Sequence, residues 1–182
     1  MRQIVPLLIF LAAVFGCKSS KKTANPKPIS VIVAAAEETA ETNEEIPEEI
    51  PETENELAVN IISTALSYHG TRYKYGGTTK KGMDCSGLIF ISFKEHDIPL
   101  ERTSSMMASQ GIEIKLNEVK KGDLLFFTTG KNKRRINHVG LVVDVEKDDI
   151  RFIHSTTSRG VLVSSIKEGY WNYAFREARR IL

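Results

Sequence analysis

Gly122-Asp123-Leu124-Leu125-Phe126-Phe127 is where the hydrophobic period of this chain changes. Upstream, apolar side chains recur at helical spacing; from here on they come in short, strand-length runs. Leu57, Ile61, Ile62, Ala65, Leu66 and Tyr68 predict a first helix that Gly70 stops, and Tyr73-Lys74-Tyr75-Gly76-Gly77 follows as a glycine-rich loop. Asp84 is the expected N-cap of a second helix over residues 85 to about 96, with Leu88, Ile89 and Phe93 on its buried side. Thr103 caps a short third helix ending at Gly111. Residues 124–127, 139–145, 150–153, 161–163 and 173–179 read as strands, and Lys147-Asp148-Asp149 as a tight turn. Helices first and strands afterwards predict an α+β fold with a mostly antiparallel sheet.

Working outward, 182 residues suit one domain with appendages, and a hydrophobic fraction of 41% excludes wholesale disorder and a polytopic membrane protein. The net charge of +2 hides an asymmetry. Ten of the 23 acidic residues are glutamates between Glu37 and Glu56, and residues 57–182 carry 20 basic against 13 acidic side chains. The folded part is therefore basic, which favours anionic partners without identifying one. Nothing points to nucleic acid. At the start, Met1-Arg2-Gln3 precedes an apolar run from Ile4 to Phe15 and then Gly16-Cys17, the layout of a secretory signal peptide over residues 1–16. The run is shorter than the roughly twenty residues that span a bilayer. Val14-Phe15-Gly16-Cys17 resembles a bacterial lipobox, which implies lipid on Cys17; an ordinary signal cut nearby would leave Cys17 a spare thiol. Lys18 is not an inner-membrane retention aspartate, which implies an outer-membrane, periplasm-facing anchor in a Gram-negative host. Residues 17–56, lysine-, proline- and glutamate-rich, read as the lipidated cysteine and a disordered tether. The apolar island from Ile29 to Ala36 reads either as a docking strand or as linker.

With Cys17 lipidated, Cys85 is the one remaining thiol of an exported chain, and an unpaired exported thiol is a candidate for reactivity. Asp84-Cys85-Ser86-Gly87 places it in the first turn of the second helix, where free N–H groups and the helix dipole favour the thiolate. A cysteine nucleophile needs a base and a group to orient that base. Of the four histidines, His69 and His96 fall near helix ends, where histidine is commonly a surface or C-terminal residue. His138 opens one predicted strand and His154 closes the next. Antiparallel strands joined by a short turn bring these two to the same sheet edge, within hydrogen-bonding distance. Two other readings stand beside this one: both histidines structural, or Cys85, His138 and His154 as zinc ligands, although no close metal-ligand spacing is present.

Gly70-Thr71-Arg72-Tyr73-Lys74-Tyr75-Gly76-Gly77, Asp84-Cys85-Ser86-Gly87-Leu88, Gly122-Asp123-Leu124-Leu125-Phe126-Phe127, His138-Val139-Gly140 and Phe152-Ile153-His154-Ser155 together resemble the NlpC-type cell-wall cysteine peptidases, in order and spacing across nearly all of residues 57–182. The lipobox-bearing, single-domain layout is similar to the Spr-like lipoprotein endopeptidases. The resemblance implies a papain-like fold, with the nucleophile helix packed on the sheet, and cleavage of peptidoglycan stem or cross-link peptides without metal or organic cofactor. It implies Cys85 as nucleophile, His138 as general base and His154 as its orienter, with the Tyr73 hydroxyl near the oxyanion. Asp84 and Ser86 would line the substrate cleft, the carboxylate receiving a substrate ammonium, and Arg102 would meet a stem-peptide carboxylate. Arg72, Glu101 and Asn137 depart from residues common in the family, outside the implied triad. Lys131, Lys133, Arg134 and Arg135 crowd the loop before His138, as a solvated turn or as an attractor of carboxylate-rich murein. A papain-fold amidase or acyltransferase and a non-catalytic wall-binding lipoprotein are the alternatives; the bond cleaved and the oligomeric state are not encoded in these motifs.

Overall fold

A computed structural model describes residues 53–131, 134–147 and 149–182. The signal peptide, Cys17, the island from Ile29 to Ala36, nearly all of the tether, Lys133 and Asp148 lie outside the described residues. Helix α1 spans Glu54–Leu66, with the Thr53 side chain accepting from the Glu56 N–H as N-cap. Its buried face is Ala58, Ile61, Ile62 and Ala65, the spacing of one helical stripe. The helix begins ahead of the expected boundary at 57. Residues 54–56 of the glutamate-rich run are its first turn.

A two-stranded ribbon follows, β1 Thr78–Thr79 and β2 Gly82–Met83, and then α2, Cys85–Lys94. Asp84 caps α2 as expected, and Leu88, Ile89 and Phe93 are buried. The helix stops short of His96, and Asp97 reverses the chain at φ 59° while the Ile98 N–H returns to the Phe93 carbonyl. Helix α3, Ser104–Met107, is one turn capped by Thr103 and does not run on to Gly111. Instead the chain enters β3, Ile112–Ile114, too short and too exposed to leave a period-2 pattern. Gly111 makes that junction possible: a Cβ there would sit 2.1 Å from the Arg180 carbonyl oxygen.

A 3-10 turn at Leu116–Glu118 leads to β4 Leu124–Phe127, β5 His138–Glu146, β6 Asp149–Thr156, β7 Gly160–Ser165, helix α4 Gly169–Ala174 and β8 Phe175–Arg180. The six-stranded sheet has the order β3-β8-β4-β5-β6-β7, antiparallel at every pairing. The fold is α+β, as expected. One departure matters for the site: Tyr173 and Ala174, read as strand, are helical. Aromatic side chains favour strands in general, yet burial of Trp171 and Ala174 holds Gly169–Ala174 as a helix, so tertiary packing overrides local preference.

All four residues of Leu124-Leu125-Phe126-Phe127 are buried because both sheet faces are covered. On one face Leu124, Phe126, Val139, Leu141, Ile153 and Val161 pack against α1 and α2. On the other, Leu125, Phe127, Val142, Phe152 and Ala178 pack with Trp171 and Ala174 of α4. The site forms where strand ends of this sheet bring the two cores together. Among the described residues, no helix is long and apolar enough to cross a membrane.

Candidate active site

Cys85 is held by contacts that start at Asp84. One carboxylate oxygen of Asp84 accepts from the Gly87 N–H at 2.6 Å, capping α2, and the other accepts from the Gly76 N–H at 2.6 Å. The glycine-rich loop is thereby pinned to the helix tip. Its approach requires two glycines: a Cβ on Gly87 would lie 2.1 Å from the Gly77 carbonyl oxygen, and one on Gly77 would lie 2.2 Å from that of Gly82. Tyr73, bridged to Met83, arrives beside the sulfur by this route.

The imidazoles come from the opposite core. His138 opens β5 and His154 lies in β6, on the face that carries Phe127, Val142 and Phe152. His138 Nε2 and His154 Nδ1 are 2.9 Å apart, so the expected meeting of the two rings is observed. His138 is 7% exposed and His154 fully buried. Ser155, on the other face of β6, donates to the Met83 carbonyl at 2.8 Å and ties this strand to the segment leading into Cys85. Asn137 clamps the loop before His138, accepting from the Thr129 N–H at 2.8 Å and donating to its carbonyl at 3.0 Å.

Burial decides the charge state. It pushes the Cys85 thiol up to about 11, with the Asp84 carboxylate adding to the rise. Backbone N–H groups of Val139, Ser86 and Cys85 itself work against this but do not overcome it. The expectation that a helix tip alone would hold a resting thiolate is thus corrected: desolvation outweighs the helix end. Burial likewise lowers His138 to about 4. It lowers His154 to about 2, helped by the neighbouring His138 and Arg159. At neutral pH the three groups rest uncharged. Burial also raises Tyr73, as do Cys85 and Asp84, so its hydroxyl keeps its proton and can donate.

Cys85, Tyr73 and Asn137 stand at the waist of a cleft with two arms of about 390 and 470 Å³. Each arm is within the size range of pockets that take a small ligand or peptide segment. One arm is lined by His138, Thr156, Arg159, Glu168, Tyr170 and Trp171. The other is lined by Tyr75, Gly76, Asp84, Ser86, Arg102 and Thr103. In that second arm Arg102 is not held out as a separate cation. Its Nη1 donates to Ser86 Oγ at 2.9 Å and to Asp84 at 3.2 Å, and its Nη2 to the other Asp84 oxygen at 3.3 Å. Expected as separate contacts for substrate, these three form one internal network. His69 and His96 take no part in the cleft; His96 pairs with Thr64 Oγ1 at 2.8 Å. Among the described residues no three His, Cys, Asp or Glu side chains converge as metal ligands.

Residues 70–180 match the NlpC/P60 family. The chain belongs to that family. It is 41% identical over 116 residues, 63% of this chain and 72% of the relative, to the Escherichia coli (strain K12) protein named "Probable endopeptidase NlpC". It is 29% identical over 180 residues, 98% of this chain and 91% of the relative, to the protein of the same strain named "Murein DD-endopeptidase MepS/Murein LD-carboxypeptidase". Among solved structures, an NlpC/P60 family protein from Bacillus cereus superposes with a TM-score of 0.63 at 28% identity. That superposition covers 69% of this chain and 40% of the B. cereus one, so this chain spans under half of that structure.

The NlpC/P60 domain also shows site residues that pattern reading passed over. Trp171 stacks on His138, with ring centroids 5.1 Å apart and planes at 21°, and meets His154 at 4.5 Å and 80°. It is the only tryptophan of the chain, in an aromatic run with Tyr170, Tyr173 and Phe175, and that run was the available signal. The strand reading over 173–179 left α4 unseen and Trp171 with it.

Proposed function

We propose that this NlpC/P60 protein is a peptidoglycan endopeptidase, a cysteine peptidase that cleaves stem or cross-link peptides through an acyl-enzyme on Cys85. The observation that carries the reading is the cleft itself. A thiol at the tip of α2 shares it with an imidazole whose other ring nitrogen is already engaged, at 2.9 Å, by a second imidazole. That engagement sorts the roles. His138 Nε2 is taken by His154, which leaves Nδ1 for the thiol. To accept a proton at Nδ1, His138 must carry its own on Nε2 and donate it to His154 Nδ1. His154 then orients the base without charge of its own.

In the reaction the Cys85 proton passes to His138 Nδ1 as sulfur attacks the peptide carbonyl carbon. The tetrahedral oxyanion is met by the Tyr73 hydroxyl and the Cys85 backbone N–H. The C–N bond breaks as His138 returns the proton to the leaving amine, and a thioester remains on Cys85. Water, giving its proton to His138, attacks that thioester; the acid product leaves and the thiol is restored. Because thiol and imidazole rest neutral, charge forms only when the carbonyl is in place to share it. The arm holding Asp84, Ser86 and Arg102 binds the polar end of the stem peptide, and the guanidinium, about one-third exposed, keeps an open side toward the ligand.

Digestion of purified peptidoglycan, with the fragments separated and weighed, is the test. We expect new amine and carboxyl ends at one peptide bond, and loss of release by a factor of about 10³ or more in Cys85→Ala. Full activity in Cys85→Ala would end the proposal, and fragments cut at the sugar–peptide junction would make the enzyme an amidase. Export and anchoring belong to the same proposal: cleavage before Cys17, lipid on its thiol, and a tether that lets the domain reach the wall from an outer membrane. Mass spectrometry of the mature N-terminus tests this, and an unlipidated Cys17 would refute it.

A further inference from the structure

The two arms of the cleft handle charge differently. Beside Asp84, Ser86 and Arg102 the charges answer one another within the protein. The other arm, of about 390 Å³, is lined by one cation and one anion, Arg159 and Glu168. They form no ion pair with each other. Arg159 is fixed through its backbone, whose N–H donates to Thr156 Oγ1 at 3.1 Å, and among the described residues its guanidinium has no hydrogen-bond partner. Glu168 gives one carboxylate oxygen to the Ser165 N–H at 3.1 Å and keeps the other open. Both stand on set backbone. Gly160, next after Arg159, is at φ 67° and packs so tightly that a Cβ would lie 2.2 Å from the Thr71 carbonyl oxygen, while the Val161 N–H donates to that oxygen at 2.8 Å. Glu168 is the residue from which α4 starts.

The chemistry decides which part of a substrate enters this arm. The leaving amine takes its proton from His138, and His138 lines this arm and not the other. The departing residue therefore lies here, and the acyl side of the bond lies along Asp84, Ser86 and Arg102. We propose that Arg159 and Glu168 select the departing residue by its charges, Arg159 receiving a carboxylate and Glu168 an ammonium. A residue that has given one amine to the scissile bond and still offers both groups is a diamino dicarboxylic acid with a free far end, the kind an uncross-linked stem peptide carries. An unpaired cation and anion facing one small arm complement that zwitterion. Lysine in the same place offers the ammonium alone and leaves Arg159 unanswered. The proposal rests on reading Cys85 and His138 as the reacting pair and deepens it by naming the leaving group.

Three synthetic tripeptides of the form L-alanyl-γ-D-glutamyl-X test it, with X diaminopimelic acid, lysine or aminopimelic acid. Lysine lacks the far carboxylate, and aminopimelic acid lacks the far ammonium. For the wild-type protein, kcat/KM should be about tenfold lower with either than with diaminopimelic acid, the scale of a charge-assisted contact open to water. Arg159→Gln should cut the preference over lysine to about twofold or less and keep the preference over aminopimelic acid. Glu168→Gln, whose amide oxygen still accepts from Ser165, should do the reverse. Equal wild-type rates on the three peptides, or an equal loss on all three in either variant, overturns the proposal. So does digestion of whole peptidoglycan with none of the tripeptides cut, since another residue then departs through this arm. Should a variant fail to fold, the wild-type ranking decides. Retained activity in Cys85→Ala would instead overturn the reading of the site, whichever peptide is preferred.

Discussion

The sulfur and the imidazoles that meet in this cleft are built on opposite faces of one sheet, and their surroundings differ in kind. Around Cys85 the environment is polar and made of backbone: three N–H groups face the sulfur, and the Asp84 carboxylate serves Gly76, Gly87, Ser86 and Arg102. Around His138 and His154 it is made of rings, with Phe127, Phe152 and Trp171 as the immediate contacts. The polar side can hold a developing negative charge but is too buried to hold a resting one. The aromatic side holds the two imidazoles neutral and in place. A helix tip therefore does not by itself make a thiolate; the depth at which it is buried decides.

The sharpest way to break this division is to remove His138, the base we propose. His138→Ala should lower kcat by about 10³-fold or more, measured on purified peptidoglycan, with Cys85 still in place. Near-normal turnover would mean that the polar side activates the thiol unaided. Next in size is an effect on stability. His138 and His154 bind protons less readily folded than unfolded, since burial lowers them to about 4 and about 2 from an ordinary 6.5. Above about pH 6.5 both states are neutral and the pair costs nothing; as pH falls below it, the unfolded chain takes up protons first and the fold loses stability. The loss should reach a few kcal/mol by about pH 4.5, seen as a falling Tm, and should shrink in His154→Leu. An unchanged pH dependence in that variant would mean the imidazole side is wetter than its rings imply. The smallest effect falls on the polar side. Arg102→Met opens the network with Asp84 and Ser86 and should raise KM by about tenfold or less while kcat changes little. A collapse of kcat instead would make that network part of thiol activation rather than of binding.

Much of this arrangement was legible in one dimension because it is local. An Asp-Cys-Ser-Gly tetrad declares its own cap: the carboxylate of Asp84 and the N–H of Gly87 are three residues apart, and no distant part of the chain is needed to join them. The hairpin did the same for His138 and His154, since strand pairing alone brings the opening of β5 beside the end of β6. Elements went astray where long-range burial overrode local preference. Ile112–Ile114 becomes a strand because β8 lies alongside it, and Gly169–Ala174 becomes a helix because Trp171 needs the second core.

By itself the sequence determined the cap at Asp84, the helix that starts at Cys85 and the hairpin that brings His138 and His154 together, all of which follow from spacing along the chain. The tertiary structure alone decided that the thiol and the imidazoles rest uncharged, that Arg102 is bound to Asp84 and Ser86, and that Trp171 stacks on His138. Those outcomes depend on how much water is excluded and which distant groups arrive, and desolvation is a property of the packed volume, not of neighbours in the chain.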